Sequence, residues 1–239
     1  MAERWEELRV GGGLMHAFTS APDGAGPFPA VVVIQHVGGV DSFIQRITRR
    51  VAAGGYFGIA PGLYHRQDPS PDEENMARMG RLRDDEVIED VNAAVEFLQG
   101  HGAVDGERIG VTGFCMGGRV VFMMAAVNPV FKAAVPFYAA ATMQPWGDGP
   151  APFDRLASIQ CPVLGFFGED DRNPSPEDMR KLDEELTRHG KEHEFHSYPN
   201  AGHAFMNSTN EASYREQAAK VAWPMTLRFF DRHLRSAAP

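Results

Sequence analysis

Two cysteines, Cys115 and Cys161, are too few for a disulfide framework and match no paired metal-ligand spacing. A reducing compartment fits that usage. Cations are scarce too: 23 Lys and Arg stand against 32 Asp and Glu, a formal charge of −9, and no basic block interrupts the chain. Neither nucleic acid nor an anionic membrane surface is therefore an expected partner. Long apolar runs are also missing. The longest, such as residues 120–127, fall well short of the roughly 20 residues that span a bilayer. The charged opening, residues 1–7, lacks the apolar stretch of a signal peptide. The expected location is cytoplasmic. No internal repeat or low-complexity segment divides the chain, and Gly147 to Pro150 and residues 67–72 read as turn-rich loops rather than linkers.

What is present is an ordinary globular composition, 43% hydrophobic and 23% charged over 239 residues. That suffices for one sizeable core, so one domain over residues 1–239 is expected. Apolar runs of strand length alternate with helical patterns: 30–35 then 43–53, 56–60 then 84–99, and 108–112 then 117–127. Further strands are expected at 131–138, 162–167 and 194–198, with a helix from about 176 and a closing helical stretch to 234. This alternation predicts βαβ units, hence an α/β fold with a mostly parallel central sheet and helices on both faces. In the helix at 84–99, Val87, Val91, Ala94, Val95 and Leu98 share one face, and the acidic first turn suits the helix dipole. Ser175-Pro176-Glu177-Asp178 has the form of an N-cap followed by a first-position proline. Pro224 is expected to kink or divide the last helix.

The segment Gly113-Phe114-Cys115-Met116-Gly117-Gly118 follows a strand and opens a helix. It has the G-x-C-x-G form of a nucleophile elbow, with cysteine in the serine position. Such a turn presents its central side chain at the carboxyl edge of the sheet. The following helix aims its N-terminus at the sulfur, which favours a thiolate. A phosphate-binding loop is the competing reading, but Arg119 and Val120 stand where lysine and a hydroxyl residue are needed. A cysteine nucleophile needs a base, and the base an orienting carboxylate. Both follow in chain order. The cluster Glu169-Asp170-Asp171 leaves the strand at 162–167, and His203 sits in a turn after the strand at 194–198. Asp171 is preferred as the acid, with Asp170 and Glu169 as alternatives. The other histidines, His36 apart, read as surface or core positions, and Cys161, ahead of a strand at the opposite edge of the sheet, as structural.

These residues resemble the dienelactone hydrolase family, a cysteine-using branch of the α/β hydrolases. The likeness covers nearly the whole chain. It comprises Gly113 to Gly118 at the nucleophile, the G-x-x-D of Gly168 to Asp171, Gly202-His203-Ala204-Phe205, and Pro61-Gly62-Leu63-Tyr64, similar to the family's P-D-L-Y with Gly62 replacing the aspartate. The resemblance implies an α/β-hydrolase fold and a thiol-dependent hydrolase of a small ester or lactone, with Cys115, Asp171 and His203 as triad. It implies an oxyanion hole from the Met116 and Val37 N–H groups, and no metal or organic cofactor. Two departures bear on substrate and activation. Where the family's founding enzymes carry a thiol-activating glutamate, this chain has His36; where they carry a substrate-binding arginine beyond the histidine loop, it has Asn207. Arg78 and Arg81 are candidates for binding an anion. Loops at 63–80 and 140–153 are expected to build the pocket. An acyl transferase or thioesterase on the same triad, and a non-catalytic ligand-binding or regulatory protein on this scaffold, are the rival readings.

Overall fold

The strand Phe28–Ile34 (β3) is apolar throughout because both its faces are covered. Ala30, Val32 and Ile34 enter one buried cluster, while Val31 and Val33 enter another on the opposite side. A computed structural model describes residues 1–68 and 73–235. Residues 69–72, the tip of the loop expected at 67–72, lie outside the described residues.

Eight strands form one sheet: Ala2–Val10 (β1), Gly13–Ala21 (β2), β3, Phe57–Pro61 (β4), Val104–Phe114 (β5), Phe131–Phe137 (β6), Val163–Gly168 (β7) and His193–Tyr198 (β8). Their order is β1-β2-β4-β3-β5-β6-β7-β8, parallel from β4 to β8, with β1 and β2 antiparallel. The helices are Ser42–Ala53 (α1), Asn75–Met79 (α2), Asp84–Gly100 (α3), Met116–Val127 (α4), Pro176–Arg188 (α5) and Glu216–Phe230 (α6). Residues of α3, α4 and α5 bury themselves against one face of the sheet, those of α1 and α6 against the other. The expected apolar face of α3 is buried in full. Ser175 caps α5 through the reciprocal bonds with Asp178 that its sequence predicts. Among the described residues no helix is long and apolar enough to cross a membrane.

Two elements depart from the sequence expectation. The antiparallel hairpin β1–β2 was not anticipated; its turn is Gly11-Gly12, both at positive φ, the geometry a two-residue hairpin loop demands. And α6 is not divided at Pro224, which lies inside one helix from Glu216 to Phe230. Pro224 and Lys220 are both exposed, so water can satisfy the Lys220 carbonyl that the proline leaves without a donor. Ala222, Trp223, Phe229 and Phe230 meanwhile hold both sides of the proline on the core.

The chain order of the strands positions the site. From β3 the chain crosses to β4 on one side, then returns through α3 to β5 on the other. This is a switch point, where ligands bind at the carboxyl ends of parallel strands. Ile34 pairs with Gly113 there, so the loop after β3 runs beside the turn after β5.

Candidate active site

Cys115 occupies the turn between β5 and α4 with φ 60° and ψ −121°, a left-handed backbone unusual for a residue with a side chain. Neighbouring backbone enforces it. The Cys115 N–H donates to the Phe137 carbonyl at 3.1 Å, and its carbonyl accepts from Gly118 and Ala140 N–H at 3.0 and 3.1 Å. The flanking glycines are required by crowding. A side chain on Gly113 would strike the Gly117 carbonyl, and one on Gly117 would put its Cβ 2.5 Å from the Gln35 carbonyl oxygen. The half-buried thiol therefore stands at the mouth of α4, whose first N–H, that of Met116, is one of those a helix leaves without an internal partner.

Acid and histidine arrive on adjacent loops, after β7 and β8. The loops meet backbone to backbone: Asp170 N–H donates to the Ala201 carbonyl at 2.9 Å, and a side chain on Gly168 would collide with that same carbonyl. Asp171 is buried, whereas Glu169 and Asp170 are exposed. Its Oδ2 lies 2.8 Å from His203 Nδ1, and its Oδ1 accepts from Asn173 N–H at 2.9 Å. Burial disfavours the His203 imidazolium, but the bond to Asp171 and the neighbouring Cys115 sulfur favour it, and the balance raises its pKa from 6.5 to about 10. The fully buried ring of Tyr138 packs edge-on against His203 at 5.1 Å.

Cys115, Asp171, His203, Val37 and Met116 all line one cavity of about 490 Å³. Met76 and Met79 of α2 and Ala140 and Ala141 complete an apolar wall, while Asp170, Arg172 and Asn173 form a polar rim. The two methionines fall within the loop at 63–80 that sequence assigned to the pocket, but α2 has only five residues, too few to declare a helical period. The wall at 140–146 is fixed from behind by Arg119. This wholly buried guanidinium donates to Asp84 at 2.5 and 3.0 Å and to the carbonyls of Ala141 and Gln144, and lies 4.0 Å above the Trp146 ring. Asp84, expected only to complement a helix dipole, is thus a buried ion-pair partner.

The remaining candidates are turned elsewhere. His36 Nε2 lies 2.8 Å from Asp41 Oδ2, and His36 is not among the residues lining the Cys115 cavity. Asp41 also caps α1 by accepting from Phe43 and Ile44 N–H; burial opposes its ionisation, but the His36 bond and these N–H groups prevail and lower its pKa. Asn207 accepts from the N–H and hydroxyl of Thr209 at 3.0 and 2.7 Å, closing its own turn. Arg81 is paired with Glu73 and Gln67. Arg78 stacks 4.3 Å over the Tyr64 ring and lines an adjoining groove that it shares with Gln35. Cys161 is buried before β7, with its thiol pushed up to about 12 by burial. Among the described residues, no group of three His, Cys, Asp or Glu could hold a metal ion.

Such an arrangement can generate a sulfur nucleophile, shuttle its proton through an oriented imidazole and receive an anion on backbone donors. Known proteins resemble the chain over most of its length. A model described as "Dienelactone hydrolase family" matches residues 15–234. A protein of Methylorubrum extorquens named "Putative carboxymethylenebutenolidase" is 35% identical over 231 residues, covering 92% of this chain and 78% of its own. One of the same name from Yersinia pestis is 35% identical over 230 residues, covering 93% and 85%. A crystal structure from Klebsiella pneumoniae, described as a "Putative Dienelactone Hydrolase", superposes with a TM-score of 0.89 at 32% identity, covering 97% of this chain and 100% of that one.

Proposed function

Because the chain belongs to the dienelactone hydrolase family and has the α/β-hydrolase fold, we propose that it hydrolyses a small ester or lactone through a thioester on Cys115. The observation that carries this reading is the joint placement of the half-buried Cys115 thiol, His203 and the buried Asp171 around one apolar cavity at the sheet's switch point. A protonated His203 beside the sulfur favours the thiolate. The thiolate attacks the carbonyl carbon, and the carbonyl π pair moves to oxygen. The Val37 and Met116 N–H groups hold that oxyanion, each worth roughly 3 kcal/mol in comparable acyl-transfer sites. As the carbonyl re-forms, the C–O bond to the alcohol breaks and His203 gives its proton to the leaving alkoxide. Water, deprotonated by the now neutral imidazole, attacks the thioester; the C–S bond breaks and the acid is released. Asp171 holds Nδ1 throughout, so that Nε2 faces the reaction. This sequence calls on no metal or organic cofactor, and a single domain carries every group in it.

The cavity's apolar wall supports a neutral acyl or alcohol portion: Arg78, Arg81 and Asn207 do not line it, and Arg172 shares its rim with the carboxylate of Asp170. Release of product from a panel of aryl esters and lactones tests the proposal. Cys115→Ala is expected to abolish turnover while leaving the thermal midpoint within a few degrees of wild type. Equal rates for the two proteins would sink the cysteine mechanism.

A further inference from the structure

We propose that Tyr64 is a positioning residue for oxyanion stabilisation, its single hydroxyl fixing the loop of one backbone donor against the residue that supplies the other. The inference rests on the reading of Val37 and Met116 as those donors. The Tyr64 hydroxyl lies 3.0 Å from the Val37 carbonyl oxygen and 3.4 Å from the Met116 sulfur. It has one proton, which goes to the carbonyl as the stronger acceptor, while the thioether packs against the oxygen.

The loop bearing Val37 needs such an anchor. Gly38 and Gly39 follow it, and a glycine pair imposes little conformation of its own. Two peptides flank the Val37 Cα. The first, His36–Val37, carries the N–H that would meet the oxyanion, and its carbonyl accepts from Gly39 N–H at 3.0 Å. The second, Val37–Gly38, is held only through its carbonyl, by Tyr64, among the hydrogen bonds of the described residues. With both peptide planes tied, the direction of the Val37 N–H is set. Tyr64 is itself immobilised. It is 6% exposed, its loop is pinned by Leu63 N–H donating to Gln35 Oε1 at 3.0 Å, and the Arg78 guanidinium covers its ring. Burial pushes the phenol well above its ordinary pKa, so it remains a donor across the working range.

Effective donors sit about 2.7–3.1 Å from the position the oxyanion will occupy, and loss of a whole donor costs about 10²–10³ in kcat. Loosening one should cost less. Tyr64→Phe keeps the ring and its stack with Arg78 and removes only the hydroxyl. The expected result is a kcat lower by about tenfold with KM within about twofold, since the interaction is realised in the transition state. Alkylation of Cys115 by iodoacetamide forms no oxyanion, and its rate should stay within about twofold. An unchanged kcat, or an alkylation rate that falls in step with kcat, would overturn the role of Tyr64. Undiminished turnover by Cys115→Ala would instead defeat the underlying cysteine reading, so the two failures are distinguishable.

Discussion

Replacing Arg119 by methionine removes a charge that the fold has sealed behind the cavity wall. Its partner Asp84 is 3% exposed and would keep only the N–H of Trp146, at 2.9 Å, as a hydrogen-bond donor to its side chain among the described residues. Breaking a buried pair by removing one member costs about 3–5 kcal/mol, mostly because the other charge is stranded. In a chain of this size 1 kcal/mol moves the thermal midpoint by about 2–4 °C, so Arg119→Met should melt roughly 6–20 °C below wild type. Activity should fall as well, because the Ala141 and Gln144 carbonyls lose the guanidinium that holds the wall. Thermal denaturation by circular dichroism and kcat/KM on a common ester read both effects. The double variant Asp84→Leu/Arg119→Met separates their causes. With no orphaned carboxylate it should recover part of the stability while remaining slow. A drop under about 2 °C for the single variant, or a double variant less stable than the single, would refute the stranded-charge argument.

Further outcomes follow from the same geometry. Gly117→Ala sets a Cβ 2.5 Å from one carbonyl oxygen and 2.7 Å from another, both backbone, so the elbow must shift; a loss of about 1–3 kcal/mol or more, read by chemical denaturation, should accompany lost turnover. The raised pKa of His203 predicts a contribution to stability that is full below 6.5 and is lost as pH rises through about 10. In the same window kcat/KM should decline as the imidazolium loses its proton, and a profile flat to pH 11 would contradict the pairing. Neutral short-chain esters should be turned over faster than matched substrates carrying a carboxylate; the reverse order, abolished by Arg172→Met, would show that the rim arginine recognises anions.

The α/β alternation and the elbow were legible because both are local: strand runs, glycine spacing and a cysteine lie within a few residues of one another. The hairpin was signalled by Gly11-Gly12-Gly13, but its charged first strand, with Trp5 exposed at the sheet's edge, lacks a clear buried face. Other features depend on contacts that no spacing announces. Asp84 and Arg119 are 35 residues apart and meet only once α3 and α4 pack on the same face. His36 stands next to Gln35 at the end of β3, yet the direction of its ring is decided by Asp41, which also caps α1. Gly62 departs from the family's aspartate, and in this chain the backbone there runs so close to β2 that a Cβ would lie 2.8 Å from the His16 carbonyl. Tyr64 was visible only as part of a motif, because the significance of its hydroxyl lies in the carbonyl it reaches.

The proposed reaction turns on a covalent bond at one sulfur. Rapid quenching of the protein in acid during turnover of an activated ester, followed by peptide mass spectrometry, tests it most directly. The expected result is an acyl mass on the peptide containing Cys115, formed and lost at rates compatible with kcat and absent in Cys115→Ala. An acyl group found on another residue, or full turnover without any acylated intermediate, would contradict it.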